Sequence, residues 1–337
     1  MDLKTKYLGL ELKNPIIVGA SNLVTDIDML RKLEDAGAAA IVYKSLFEEQ
    51  IHLENLEMHQ EMTDYNERNA EMTSLFHENL YESGPGEFLM HFEEAKKALN
   101  IPLIASLNAV YDETWYEYAK KLQDAGADAI ELNFYAVPLD LDLDGRGILN
   151  EELDVVEGVK KAVSIPVSIK LSPFYTNPLY TIAEMSKRGA DGFVLFNRLF
   201  QPDINIETES HHFPYNLSHE QDARLALRFA GLLYGNIESS ICASMGVFTG
   251  ADVVKMILAG ADAVQVVSTV YKHGPKQITR MLQEMEAWMT TKQYANLDSF
   301  RGKLSNLHSK DPYAYRRAQY VDILMKSDEI FKKYPVR

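Results

Sequence analysis

The sequence predicts an α/β fold in which eight parallel strands alternate with helices and close into a barrel. Four segments share a helix end, a glycine and a short apolar strand: EDAGAAAIVYKS (34–45), QDAGADAIELNF (123–134), KRGADGFVLFN (187–197) and LAGADAVQVVS (258–268). Four further apolar runs alternate with them: NPIIVGAS (14–21), IPLIASLN (101–108), IPVSIKLS (165–172) and SSICASMG (239–246). Eight strands separated by helices are typical of a (β/α)8 TIM barrel.

Helical periodicity fills most of the intervals between these runs. It is clear in DIDMLRKLEDAG, ETWYEYAKKLQDAG, LYTIAEMSKRG and ADVVKMILAG, and each of these segments ends in a glycine suited to a helix C-cap. An open doubly wound sheet is the alternative, but no G-x-G-x-x-G motif opens the first helix. Because no Ser/Gly-rich linker divides the chain, we expect one domain over residues 1–337, with extra helices after residue 275.

Three long insertions interrupt the regular spacing. They occupy residues 46–100, 135–152 and 198–222, and each follows the C-terminal end of a predicted strand. Barrel enzymes build their active sites at that end of the strands. We therefore expect inserted loops around a site at the C-terminal face.

Composition narrows the class of function. The 337 residues are 46% hydrophobic, and 34 basic against 49 acidic residues give a net charge of −15, which disfavours nucleic-acid binding. A single cysteine, Cys242, excludes disulfides and Cys-rich metal sites and fits a reducing cytoplasm. No apolar run reaches the roughly 18 residues of a membrane span, and the start lacks a signal-peptide pattern. We expect a cytoplasmic enzyme that acts on a small molecule and contacts neither nucleic acid nor membrane.

Polar residues interrupt the apolar strands at positions that alternation directs into the barrel. Lys44 shares its face with Val42, Asn197 is in phase with Leu195, and the other such residues are Asn108, Asn133 and Lys170. Buried amides and ammonium groups are costly unless something satisfies them. Two lysines and three amides at one mouth suit a flat, partly anionic ligand that is rich in hydrogen-bonding groups.

The last two strands supply a second pattern. Ser244, Met245 and Gly246 follow one of them, Val267 and Ser268 follow the other, and a helical segment comes next in both cases. Barrels commonly bind phosphate there with backbone N–H groups. A phosphorylated aromatic cofactor lying across the mouth would explain both patterns.

At these residues the sequence resembles the dihydroorotate dehydrogenase family, in its class 1, FMN-dependent branch. The resemblance covers most of the chain: NPIIVGAS near the start, YKS at 43–45, ELN at 131–133, IKLSP at 169–173, Asn197, TGADVVKMILAGADAVQVVS at 249–268 and FRGKLS at 300–305. It implies that FMN is held by Gly19, Ala20, Lys44, Ser106, Asn133 and Lys170. It also implies that Gly246 and Ser268 lie near the FMN phosphate.

The resemblance implies an activity as well. Family members oxidise dihydroorotate to orotate in pyrimidine biosynthesis, with hydride transfer to flavin N5, and commonly form homodimers. Lys44 would stabilise the charge that develops on the reduced ring, while Asn133 and Asn197 would orient dihydroorotate or another small acid. Arg198 could pair with a substrate carboxylate. Fumarate, NAD through a partner subunit, and oxygen all remain possible electron acceptors.

The chain departs from the family pattern at several positions. The base position, a Cys or Ser in the family, is Ala136, which cannot accept a proton. The M-G-L-x-N substrate loop is replaced by SLFHENLYESGPGEF, and Arg198 stands where the family usually has Thr or Ser. Met245 and Val267 stand where glycines are usual. A base must therefore come from elsewhere, and Tyr135 and His77 are the candidates.

These departures leave other functions open. The same flavin barrel could act on a different substrate, or it could be catalytically silent. A Schiff-base lyase that uses Lys170 or Lys44 as its nucleophile is a further alternative.

One segment matches the EF-hand calcium pattern through Asp140, Asp142, Asp144, Gly145 and Glu151. No helix can enter it through Ala136-Val137-Pro138, and leucines are unusual inside such a loop. His211-His212 lacks an accompanying Glu-x-x-His. We expect no metal site.

Overall fold

A computed structural model of the chain describes residues 1–47, 83–108, 112–134, 141–142, 144–199, 202–212, 217–311, 314–315, 318–325 and 332. The strands are β1 (Thr5–Tyr7), β2 (Leu10–Leu12), β3 (Ile16–Val18), β4 (Ala40–Val42), β5 (Leu46–Phe47), β6 (Leu103–Asn108), β7 (Ala129–Asn133), β8 (Val167–Leu171), β9 (Gly192–Leu195), β10 (Asp203–Asn205), β11 (Ser210–His212), β12 (Ser240–Ser244) and β13 (Ala263–Val266). The helices are α1 (Ile27–Asp35), α2 (Ser83–Ala98), α3 (Asp112–Asp124), α4 (Gly145–Ala162), α5 (Pro178–Lys187), α6 (Ala223–Leu233), α7 (Gly250–Ala259), α8 (Ser268–His273), α9 (Lys276–Lys292) and α10 (Ala318–Met325).

Eight strands form the predicted closed barrel. Strands β3, β4, β6, β7, β8, β9, β12 and β13 pair in parallel in that order, and β13 returns to β3. Each of the eight apolar runs identified in the sequence contains one of these strands. The (β/α)8 prediction is confirmed. The helices predicted beyond residue 275 are also present, as α9 and α10.

An antiparallel hairpin of β1 and β2 closes the N-terminal end of the barrel. Its side chains Tyr7, Leu8 and Leu12 join one buried apolar cluster with inward residues of the barrel strands, such as Val194 and Cys242. The hairpin packs closely, because a Cβ added at Gly192 would lie only 2.4 Å from Leu8 Cδ2. Burial of these side chains stabilises the lower barrel and leaves the polar inward residues to the upper half.

The phase predicted for β9 is wrong. Val194 pairs in register with Lys170 of β8 and Cys242 of β12, and residues in register share a face of the sheet. Val194 therefore points into the barrel, and Leu195 joins the outer cluster between strands and helices. The strand begins at Gly192, which occupies an inward position, and the Leu8 side chain fills the space beside it. Because Gly192 faces inward, Val194 faces inward too and Leu195 faces outward. Asn197 lies two residues beyond the end of β9.

Helix caps set the starts of several helices. The Asp26 carboxylate accepts the Met29 backbone N–H at the start of α1, and Thr249 and Asp252 form a capping box at the start of α7. Asp144 caps α4 by accepting the backbone N–H groups of Arg146 and Gly147. Among the described residues, no helix is long and apolar enough to cross a membrane.

Candidate active site

Two adjoining cavities open at the C-terminal mouth of the barrel. The larger has a volume of about 710 Å³ and the smaller about 240 Å³, and the residues Ala20, Asn22, Lys170 and Asn197 line both of them. Small-molecule sites commonly have volumes of about 300–1,000 Å³. The two cavities together can therefore hold a cofactor and a small substrate side by side.

Most of the predicted site residues line these cavities. They are Ala20, Lys44, Asn133, Lys170, Asn197, Gly246 and Ser268. Ser106 instead lies behind the wall, where its hydroxyl shares a 2.7 Å hydrogen bond with the hydroxyl of Ser45, which lines the smaller cavity.

Gly19 also lies behind the wall, where a close approach to β13 demands a glycine. A Cβ at Gly19 would lie 2.9 Å from Val267 Cγ2 and 3.1 Å from Gln265 Oε1. The Gly19 backbone N–H donates to the Val266 carbonyl. This contact sets the path of the chain into Ala20.

A buried ionic network lies under the cavity floor. Lys170 Nζ is 3.5 Å from Glu131 Oε1 and donates a 3.3 Å hydrogen bond to Gln265 Oε1. The Gln265 side-chain amide donates to the other carboxylate oxygen of Glu131. The Glu131 side chain is 1% exposed and that of Lys170 11% exposed, so the ammonium group forms part of the wall while its counter-ion is fully enclosed.

The groups beneath this network are neutral. Burial raises the pKa of the Cys242 thiol well above its ordinary value, and the nearby Glu131 carboxylate raises it further. Burial likewise raises the pKa of the Tyr7 hydroxyl, with Cys242 and Glu131 adding to the effect. Of Glu131, Cys242 and Tyr7, Glu131 is therefore the negatively charged partner of Lys170. No role for Glu131 or Gln265 was predicted from the sequence, although their inward phase on β7 and β13 was a signal.

Two amides meet beside Lys170. Asn197 Nδ2 donates a 2.8 Å hydrogen bond to Asn133 Oδ1, and the Asn197 backbone N–H is held by the Leu171 carbonyl at 2.7 Å. The Asn133 NH2 group and the Asn197 side-chain oxygen can serve a ligand, because this bond uses only one polar atom of each amide. Lys44 lines the same smaller cavity as the two asparagines. The wall can therefore orient a ring that carries both donors and acceptors.

The residues after β12 adopt backbone conformations that favour glycine. Gly246 has φ +67°, and a Cβ there would lie 2.3 Å from the Ala223 backbone nitrogen. Met245 has φ +70°, so it occupies the left-handed region where a glycine would be unstrained. Val267 has φ −136° and needs no glycine.

Ser218 connects the two segments predicted to lie near a phosphate. Its backbone N–H donates to Ser268 Oγ at 2.9 Å, and its hydroxyl accepts the Gly246 backbone N–H at 3.3 Å. Lys272 Nζ donates to the Ser218 carbonyl at 3.0 Å. Ser218 and Lys272 were not predicted from the sequence, because their contacts depend on how the loop before α6 folds back.

Arg198 lines the larger cavity and forms an ion pair with Asp222. The same Asp222 oxygen accepts the His219 backbone N–H at 2.8 Å. This partner reduces the net positive charge that Arg198 presents to the cavity.

The candidate bases Tyr135 and His77, and Ala136 itself, lie outside the described residues. Asp140 of the calcium-like pattern also lies outside them, and Asp144 serves as a helix cap. Within the described part of the chain, no group of three or more His, Cys, Asp or Glu side chains could hold a metal ion.

Comparison with known proteins identifies relatives over most of the chain. The family model described as dihydroorotate dehydrogenase matches residues 69–289. The catalytic subunit of dihydroorotate dehydrogenase B (NAD(+)) from Methanocella arvoryzae is 30% identical over 277 residues, which cover 78% of this chain and 85% of the relative. The corresponding subunit from Methanocaldococcus jannaschii is 29% identical over 280 residues, covering 81% and 88%. Dihydropyrimidine dehydrogenase (NADP(+)) from Arabidopsis thaliana is 24% identical over 326 residues, covering 89% and 76%.

Proposed function

The chain belongs to the dihydroorotate dehydrogenase family, and on that premise we propose that it is an FMN-dependent enzyme that oxidises dihydroorotate, or another small acid, at a CH–CH bond. The family consists of oxidoreductases, which overturns the Schiff-base lyase hypothesis for Lys170 or Lys44. The observation that carries the proposal is the cavity wall formed by the Lys170 ammonium and the Asn133–Asn197 pair.

The residues at the mouth fit FMN. A flavin ring presents carbonyl oxygens and ring nitrogens along one edge, and this wall offers an ammonium group and amide donors. Lys170 stands on a shared wall of both cavities, so it can contact a ring in the larger one and a substrate in the smaller one. We propose that Ala20 and Lys170, which line both cavities, contact the ring in the larger one. Lys44 and Asn133 line only the smaller cavity and would reach the edge of the ring from there. Gly19 and Ser106 would hold the wall from behind.

We propose that the phosphate end lies beside Gly246 and Ser268. Gly246 offers a backbone N–H that is now shared with the Ser218 hydroxyl. The Ser268 hydroxyl has its own hydrogen atom to donate, because it accepts one from the Ser218 backbone. The Gly246 N–H and the Ser268 hydroxyl are neutral donors that can bind an anionic phosphate oxygen. The Lys272 ammonium lies nearby, because it donates a hydrogen bond to the Ser218 carbonyl.

When bound, FMN would supply the hydride acceptor of the reaction. Lys170 keeps a positive charge at the wall, and a fixed charge stabilises negative charge that develops beside it without the cost of reorganising solvent. Glu131 and Gln265 hold the ammonium group in position from below. We propose that Lys44 stabilises charge on the substrate side.

The smaller cavity, of about 240 Å³, is our proposed substrate site. A dihydropyrimidine ring carries an imide edge with alternating donors and acceptors, which the two amides can match. Asn133 and Asn197 would therefore orient the substrate. The base that accepts the substrate proton is still only predicted, and its candidates are Tyr135 and His77.

A second candidate is a neutral dihydropyrimidine without a carboxylate. Two observations favour it: the ion pair that occupies Arg198, and the similarity to a dihydropyrimidine dehydrogenase. On the precedent of the family, we further propose a cytoplasmic homodimer that serves pyrimidine biosynthesis.

An anaerobic reduction experiment separates the candidates. Protein loaded with FMN is mixed with dihydroorotate or dihydrouracil, and flavin absorbance near ~450 nm is followed. Faster bleaching by dihydroorotate supports the main proposal, and faster bleaching by dihydrouracil supports the neutral substrate. Flavin that stays oxidised with both compounds contradicts both substrates and fits a catalytically silent protein.

A further inference from the structure

A second large cavity lies outside the mouth of the barrel. It has a volume of about 920 Å³ and lies between α6 and the residues 304–311 and 314–315 that follow α9. Arg198 and Met245 line both this cavity and the larger mouth cavity, so the two spaces share a wall. This volume lies within the range of about 300–1,000 Å³ that small-molecule sites occupy.

Hydrogen bonds fix the outer wall of this second cavity. Tyr315 donates its hydroxyl to the Leu304 carbonyl at 2.7 Å, and Arg228 donates to the Tyr315 carbonyl at 3.1 Å. The Tyr315 ring lies against Gly231 of α6, where an added Cβ would be 2.1 Å from the hydroxyl oxygen. The wall is therefore shaped by specific contacts with α6.

The charge of this cavity is opposite to that of the protein. Arg224 and Arg228 are exposed one turn apart on α6, and Arg198 lines the cavity with them. Two carboxylates also line it, Asp222 and Asp311, so three arginines face two aspartates. The chain as a whole has a net charge of −15. A locally positive cavity on such a protein attracts anions that the remaining surface repels.

Apolar groups complete the lining. Leu225 is 37% exposed and Leu304 is 56% exposed, and both face the cavity with Met245. Exposed leucines beside guanidinium groups suit a ligand with an apolar body and an anionic end. Guanidinium groups also match phosphate geometry, since two N–H groups can bind two oxygens at once.

We propose that this second cavity binds an organic phosphate monoester. Its phosphate lies on Arg224 and Arg228, and its apolar or aromatic body lies against Leu225 and Leu304. The proposal is independent of the flavin, because the four residues assigned to the ligand line neither of the two mouth cavities.

Binding of three probes tests the proposal. Calorimetric titration at low salt compares three compounds. Adenosine 5′-monophosphate has both the phosphate and the aromatic body, adenosine has only the aromatic body, and inorganic phosphate has only the phosphate. The protein is loaded with one equivalent of FMN per chain, and a second series omits FMN. We expect the monophosphate to bind most tightly, and Arg224→Glu to weaken it by roughly tenfold or more, since hydrogen bonds between charged groups are strong. Arg31→Glu is the matched control, because Arg31 is exposed on α1 and lines neither cavity.

Each other outcome overturns the proposal. Equal affinity of the monophosphate for the Arg224→Glu variant and the wild type would show that it binds elsewhere. FMN is itself a phosphate monoester, so displacement is judged at one equivalent of FMN per chain. Loss of monophosphate binding at that stoichiometry would assign the monophosphate to the mouth cavities. Undetectable binding of the monophosphate to the wild type would remove the proposed ligand class, whether or not FMN binds.

Discussion

Replacing Glu131 with glutamine tests the network beneath the cavity floor. The substitution keeps the size of the side chain and an oxygen for the Gln265 amide, but it removes the negative charge 3.5 Å from Lys170 Nζ. The Lys170 ammonium is then left without its counter-ion in a largely buried position. Burial of an unpaired charge destabilises the folded state.

The structure sets the magnitude of this effect. Loss of one partner of a buried ion pair typically costs about 3–5 kcal/mol. Lys170 is 11% exposed at a cavity wall and keeps its 3.3 Å hydrogen bond to Gln265, so water and the amide offset part of the loss. We expect Glu131→Gln to lower the free energy of unfolding by about 2–3 kcal/mol. For a chain of this length, in which the entropy of unfolding is about 0.7 kcal/mol/K, that corresponds to a fall in Tm of about 3–4 °C.

A double-mutant cycle supplies the assay. Thermal unfolding is measured for the wild type, Glu131→Gln, Lys170→Met and the double variant. Lys170→Met leaves the Glu131 carboxylate unpaired and should cost a similar amount, whereas the double variant removes both charges and should cost less than either single change. Additive losses in the double variant would refute the coupling between the two residues.

Three further substitutions test other parts of the structure. Burial raises the pKa of Glu152 from 4.5 to about 7, so the folded state favours the neutral acid. The resulting stabilisation is fully present below pH 4.5 and is lost as the pH rises through about 7. The loss of stability over this range is roughly 3 kcal/mol. Thermal melts across this range should show the loss in the wild type and not in Glu152→Gln. Gly246→Ala should lower stability by roughly 2–3 kcal/mol, and clearly more than Gly274→Ala, which shares a positive φ but has no atom within 4 Å of the added Cβ. Equal losses of Tm in these two variants would contradict the packing of Gly246. Asn197 lines both mouth cavities, so Asn197→Ala should weaken FMN binding, measured by titration, but should raise the KM for the substrate by a larger factor. An equal change in the KM and in the FMN affinity would contradict a role on the substrate side.

The barrel could be predicted from the sequence because its signal is local. Each strand is a short apolar run, and each polar inward residue interrupts that run at an alternate position. Glu131 and Lys170 follow this rule on adjacent strands, and both point into the barrel as alternation requires. The phase of β9 was assigned wrongly because the first of its two inward residues, Gly192, has no side chain and the second, Val194, is as apolar as its outward neighbours.

Contacts between distant segments could not be predicted in the same way. Gln265 and Glu131 are 134 residues apart, and their hydrogen bond depends on two strands on opposite sides of the barrel. Ser218 approaches Ser268 only because the loop before α6 folds back over the mouth. The second cavity depends on packing of a C-terminal segment, through Tyr315, against Gly231 of α6. None of these contacts leaves a periodic pattern in the sequence.

A binding titration shows whether the mouth of the barrel holds FMN beside Lys170. Quenching of FMN fluorescence is measured as wild-type protein is added, and then with Lys170→Met and with the matched control Lys4→Met. Lys4 is an exposed residue at the N-terminal end of the chain. We predict saturation at one FMN per chain for the wild type and for Lys4→Met, and an affinity at least about tenfold weaker for Lys170→Met, since the lost ammonium group supplies a charged hydrogen bond. Absence of binding to the wild type, or equal affinity for Lys170→Met, would contradict the placement of FMN beside Lys170.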